Sequence, residues 1–318
     1  MLTTSAGAAN VRAFVPRAPV HPAHRSGLFA GAGCFLFWGL VPIFWKQLGH
    51  VDALELVAQR TVWSLLFLLV VLAAQGRLIG VLKLLASRRL LAVNALTGAL
   101  LMGNWLVFLW AIGRGQLLEA SLGYFLVPLF HVAAGALLHG ERPRPLQWLA
   151  IALATVGVAW LIVAVGHLPW MALLLAITWA LYGVVRKRSP MPAIDGLAVE
   201  TLLFAPLAVG WLVVHGGGAL ARGGFVDPLL LVSSGWITAI PLVWFAFAAA
   251  RIPLTTLGLL QYLSPSIQFV LGWLVYHEPF DGGRAQGFAW IWAGLLVYVI
   301  EGLRHRRAAG MLRGAAGG

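Results

Sequence analysis

RGQLLEASLGYFLVPLFHVAAGALLHGE, residues 114–141, and RIPLTTLGLLQYLSPSIQFVLGWLVYHE, residues 251–278, are two versions of one pattern. Offset by 137 residues, Arg114 aligns with Arg251, Pro128 with Pro265, Gly135 with Gly272 and Glu141 with Glu278. Each copy is an apolar run of helix length with a proline near its middle and charge at its ends. In the first, Ser121, Tyr124, Pro128, His131 and Gly135 follow 3-4-3-4 spacing and so share one helical face. The same register in the second gives Gly258, Gln261, Pro265, Gln268 and Gly272.

Small residues with an occasional Tyr or Gln also serve as packing and hydrogen-bond glue between membrane helices. The matched prolines point further. Pro128 cannot bond the carbonyl of Tyr124, nor Pro265 that of Gln261. Freed backbone at membrane depth is tolerated where protein or a water-filled cavity covers it. Interrupted helices at corresponding places in two halves are the sequence pointer to a transporter's binding site. The pair therefore predicts a cavity, with helix breaks at Pro128 and Pro265.

Composition agrees. The chain has 318 residues, of which 61% are hydrophobic and 10% charged, and its mean hydropathy is +0.89. Soluble domains average roughly 45–50% apolar and about 25% charged residues, so this is an integral membrane protein. Its apolar runs are near 20 residues, long enough to cross as helices, and lack the alternation of a barrel strand. The net charge of +12 does not imply nucleic acid, because the basic residues lie in short loops and tails rather than in one patch. A single cysteine, Cys34, excludes a disulfide framework and a thiolate metal cluster.

Ten spans are expected, at 28–47, 55–75, 90–112, 117–139, 146–165, 168–186, 197–215, 229–249, 254–276 and 285–303. Residues 1–26 and 304–318 read as polar or basic tails. With the N-terminus inside, seventeen of the 22 Lys and Arg residues fall on the same side, among them Arg88, Arg89, Arg186, Lys187, Arg304 and Arg306. Lys46, Arg114, Arg222 and Arg284 fall on the other, and Arg60 lies within a span. The positive-inside rule then puts both termini in the cytoplasm.

The repeat reaches beyond the proline helices. Trp38 and Lys46 are spaced like Trp179 and Lys187, and Glu55 opens span two as Glu200 opens span seven. The chain divides into residues 27–166 and 167–303, five spans each. An odd number turns the second unit upside down, the inverted-repeat plan of many secondary transporters.

These motifs are identified as those of the drug/metabolite transporter superfamily, EamA type, and of its RarD branch. They are WGLVPIFWK (38–46), ELVAQRTVWS (55–64), GNWLVFLWA (103–111) and LEASLGYFLVPL (118–129) in the first half. The second half has ALYGVVRK (180–187), ETLL (200–203), TAIPL (238–242) and TTLGLLQYLSPS (255–266). The resemblance implies a ten-helix fold with a central cavity lined mainly by spans three, four, eight and nine. It also implies export of small polar or amphipathic metabolites without ATP. Two positions depart from the family's pattern. Gln59 stands where a histidine usually precedes the arginine, and Val127 where an asparagine often precedes the span-four proline.

The expected substrate-binding set is Asn104, Trp105, Ser121, Tyr124, His131, Gln261, Tyr262 and Gln268. Asn104 is polar and deep in an apolar run, so it lines a cavity or bonds a neighbouring helix. Trp105 offers a face for a planar ligand, although most of the 15 tryptophans are expected to be anchors and packing. His131 titrates near neutrality if unperturbed, which makes it a candidate proton carrier or a hydrogen-bonding partner. Arg60 is the most costly residue to place; it is expected to pair with Glu55 or Glu119 as a gate. Glu119 also suits the first turn of its helix. Glu141 and Glu278 read as features of the loops. The expected partners are a small-molecule substrate, the lipid bilayer and, as one option, a second copy in a homodimer. No cofactor or metal is expected. An intramembrane enzyme would need a paired nucleophile or a metal motif, and a channel a ring of charges; neither pattern occurs.

Overall fold

The computed structural model describes residues 22–139, 144–187, 191–222, 224–249, 251–252 and 260–316. Every regular element among them is helical. The first half holds α1 (Pro22–Gln47), α2 (Ala53–Ala74), the short α3 (Leu78–Leu84), α4 (Arg88–Gly113), α5 (Leu117–His139) and α6 (Pro145–Val165). The second holds α7 (Trp170–Lys187), α8 (Ala193–Val214), the single turn α9 (Ala219–Arg222), α10 (Val226–Ala249), α11 (Leu263–Val270) and α12 (Gly282–Ala316). Seven of these helices are long and apolar enough to cross a membrane, and three shorter apolar ones, starting at Leu117, Trp170 and Leu263, supply the remaining expected spans.

Local chemistry sets the helix ends. The Asp52 carboxylate accepts from the Leu54 and Glu55 amides and starts α2, while the Ser87 hydroxyl accepts from Leu90 and starts α4. Such caps satisfy amides that no earlier carbonyl can reach. At the end of α4 the Lys46 ammonium donates to the Ile112 carbonyl at 3.2 Å.

The packing obeys the repeat. Taking α1, α2, α4, α5 and α6 as equivalents of α7, α8, α10, α11 and α12, the main contacts between halves come in matched pairs. α5 packs on α7 as α11 packs on α1, α4 on α7 as α10 on α1, and α2 on α10 as α8 on α4. α6 lies along its own equivalent, α12, and this is the most extensive pairing. There the symmetry reaches single atoms. A Cβ on Gly157 would lie 2.7 Å from the Gly287 carbonyl oxygen, and one on Gly294 would lie 2.7 Å from that of Ala150. Adding 137 turns 157 into 294 and 150 into 287, so these are one contact seen twice. Small residues let membrane helices approach this closely.

The two proline helices differ. α5 continues through Pro128 as one helix. In the second copy the chain turns at Tyr262 before α11 begins. α11 then widens into a π-helical turn, Leu271–Val275, closed by the Tyr276 amide on the Leu271 carbonyl at 2.8 Å. π-turns of this kind recur at functional sites.

Candidate functional site

The helices leave a central cavity of about 90 Å³ between the halves. From α1 come Phe35, Trp38, Val41 and Trp45; from α2, Arg60; from α4, Leu101, Trp105 and Phe108; from α5, Tyr124. The second half gives Trp179 and Tyr182 from α7, then Ile237, Thr238 and Leu242 from α10. Gln261, Ser264, Pro265 and Gln268 complete it, at the turn and along α11. Spans three, four, eight and nine all contribute, as the resemblance implied. The first helix of each repeat, α1 and α7, also supplies much of the aromatic wall.

Of the eight expected binding residues, Trp105, Tyr124, Gln261 and Gln268 line the cavity. Asn104 stands behind the wall. Its amide donates to the Leu175 carbonyl at 3.0 Å and to the Thr178 hydroxyl at 2.9 Å, and its oxygen accepts from the Tyr124 hydroxyl at 3.0 Å. It therefore ties α4 to α5 and α7 and fixes the Tyr124 ring. Ser121 is buried and donates to the Leu118 carbonyl of its own helix. Tyr262 stacks on Phe125, away from the cavity walls. The side chains of Pro128 and His131 lie outside the described residues.

The expected ion pair of Arg60 with Glu55 or Glu119 does not form. The Glu55 carboxylate accepts instead from the Ala219 amide. That amide follows Gly216, Gly217 and Gly218, all at positive φ, +67°, +78° and +62°, a path that essentially only glycine follows. Glu119 accepts from the Met171 amide at 3.1 Å. The Arg60 guanidinium lies 3.7 Å from the Trp105 ring centre and 5.3 Å from that of Trp45. A charge at bilayer centre costs roughly 2.5–3.5 kcal/mol on insertion scales, and a desolvated cation–π contact returns about 2 kcal/mol. The indole faces thus offset much of the penalty.

Gln59, one residue before, donates to the Gly217 carbonyl at 3.5 Å and accepts from the Trp63 indole at 3.1 Å. It braces the glycine turn. Gln268 donates to the Trp38 carbonyl at 3.1 Å and to the Ser264 hydroxyl at 3.2 Å, while its side-chain oxygen stays buried without a partner.

Sequence reasoning missed two features. Trp38 and Trp179, equivalent residues of the two repeats, meet edge-to-face at 6.3 Å in the cavity wall. Their matched spacing in the two repeats carried that signal. The second is a buried cluster behind Tyr182. Glu200 accepts from the Thr97 hydroxyl at 2.6 Å and from Tyr182 at 3.4 Å, and lies 3.6 Å from the Arg186 guanidinium. It joins α4, α7 and α8.

Glu278 has a structural task. Its two oxygens accept from the Leu117 and Leu118 amides at 2.7 and 2.8 Å, capping α5 from a loop 160 residues away. Burial pushes this carboxyl above its ordinary value, against the lowering effect of the two amides.

Residues 25–163 and 169–300 each match the EamA-like transporter family. An uncharacterised transporter of Pseudomonas aeruginosa is 41% identical over 286 residues, 89% of this chain and 96% of that one. The protein RarD of Streptomyces exfoliatus is 42% identical over 297 residues, 92% of this chain and 94% of that one. A solved structure titled only as the crystal structure of a protein aligns with TM-score 0.56 at 22% identity, over 88% of this chain and 99% of that one; it supports the fold alone. With two matching units covering both repeats and relatives of this identity, the chain belongs to the EamA-like transporter family, within the RarD branch of the drug/metabolite transporter superfamily.

Proposed function

We propose that this membrane transporter carries small amphipathic molecules out of the bacterial cytoplasm by alternating access, the two inverted repeats rocking about the central cavity. The observation that carries the reading is the cavity itself. It lies between the repeats and is walled by residues of both, where transporters of this plan hold their substrate. Tyr124 and Gln261 are repeat equivalents in the cavity lining and are assigned to the substrate, together with the Gln261 carbonyl that Pro265 leaves free. The positive-inside count supports cytoplasmic termini in the plasma membrane.

The test is a thermal-shift screen of the purified chain against amphenicols, amino acids and nucleosides, followed by flux in proteoliposomes. A ligand that binds only the folded state adds about 2.7 kcal/mol at a hundredfold excess over Kd. The expected result is a stabilising compound that also crosses the liposome membrane, with both effects reduced by Gln261→Leu. Bound compounds that never cross would contradict transport.

A further inference from the structure

Arg60 is the one charged side chain in the cavity lining, and nothing in the described protein neutralises it. It is 8% exposed and its Nε atom is buried without a hydrogen-bond partner. Every acidic residue except Glu141, which lies outside the described residues, is engaged elsewhere. Asp52 caps α2, Glu55 holds Ala219, Glu119 holds Met171, and Glu278 caps α5. Asp195 pairs with Arg77, Glu200 with Arg186, Asp227 with His50 and Glu301 with Arg144, while Asp281 accepts from the Arg284 amide.

An arginine does not shed its proton under these conditions, so the charge stays. The two indoles hold it from the sides and leave the polar edge of the guanidinium without a counter-ion. Two other polar atoms of the lining are also buried without partners, the Thr238 hydroxyl and the Gln268 side-chain oxygen. The rest of the wall is mostly apolar, with the aromatic Trp38, Phe108, Tyr124 and Trp179 prominent.

We propose that Arg60 is the anion-binding subsite of the cavity and that the substrates are small organic monoanions, carboxylates with a flat apolar body. The guanidinium fork matches a carboxylate through two parallel hydrogen bonds. A phosphate dianion is disfavoured, because the lining holds no second cation. The aromatic wall takes the apolar body, and Thr238 and Gln268 take its polar substituents. The proposal rests on the transporter reading for its purpose, yet binding to the detergent-purified chain reads it without any flux.

The experiment compares 3-phenylpropionate with its neutral amide, 3-phenylpropanamide, by tryptophan fluorescence and thermal shift on the full chain. Phenyl phosphate forms a third arm. The acid should bind at least about tenfold tighter than the amide, the ratio given by one charge-assisted hydrogen bond. Arg60→Gln should abolish that preference by weakening the acid more than the amide, and Arg60→Lys should restore only part of it. Equal affinities, an acid preference that survives Arg60→Gln, phenyl phosphate binding as tightly as the acid, or no binding of the acid would each overturn the proposal. The wild-type ratio decides even if Arg60→Gln fails to fold. Flux in liposomes separates the two readings: movement of the amide without preference for the acid keeps transport and removes the anion site. An acid preference in binding with no flux does the reverse.

Discussion

Polar groups at membrane depth are costly, so Asn104 reads from the sequence as a cavity residue and Arg60 as half of a gate ion pair, yet the fold treats them differently. Asn104 commits both amide donors and its oxygen to neighbours, so it positions Tyr124 rather than meeting a ligand. Asn104→Leu should destabilise the protein by about 1 kcal/mol, within the range of interhelical hydrogen bonds in membranes. A thermal-unfolding cycle with Tyr124→Phe should then show coupling between the two positions; strict additivity would mean that the bond contributes nothing. Periodicity places a residue on a face, and so it found Tyr124, Gln261 and Gln268. It does not say whether a side chain on that face is already satisfied, which is why Ser121 and Asn104 were included. The same gap explains the error at Arg60. Its two expected carboxylates are nearby in sequence or helix order, but backbone amides had claimed both.

At the scale of elements, the paired stretches are alike in sequence and unlike in structure. Pro128 sits within a continuous helix, whereas Pro265 follows a turn and a π-helical turn ends the segment. No spacing rule marks a π-turn, since it adds one residue without changing composition. That turn delivers Glu278 to the start of α5. Because burial raises its carboxyl, the folded state holds this proton more tightly than the unfolded chain. The stability it confers is therefore full below the ordinary carboxylate value and declines as pH rises through the raised one. Melting temperatures from pH 4 upward should show this decline in the wild type, and Glu278→Gln should flatten that component; an unchanged slope would exclude Glu278 as its source. The contact between α6 and α12 is governed by small residues instead. Gly157→Ala sets a methyl 2.6 Å from Ile291 Cγ1, and overpacking of this kind costs about 1–3 kcal/mol. A melting temperature equal to wild type would contradict so tight a crossing.

For the whole molecule, ten helices, two repeats and their mutual inversion were legible, because hydrophobic run length and an odd count per repeat are properties of the sequence alone. The cavity's place between the halves followed from the paired prolines. Its composition did not: Trp38 and Trp179 are distant in sequence, and only the packing of α1 against α11 and α7 against α5 brings them together. The central claim is that one site between the repeats faces the two sides of the membrane in turn. Aqueous thiol labelling tests it most directly, since Cys34 is the only cysteine and is fully buried. Gln261→Cys in the cavity and Val270→Cys on the exposed face of α11 are treated with a charged, membrane-impermeant reagent in right-side-out and inside-out vesicles. The account predicts that Gln261→Cys reacts in both preparations while Val270→Cys, facing lipid, reacts in neither. Reaction of Gln261→Cys from one side only, or from neither, would contradict it.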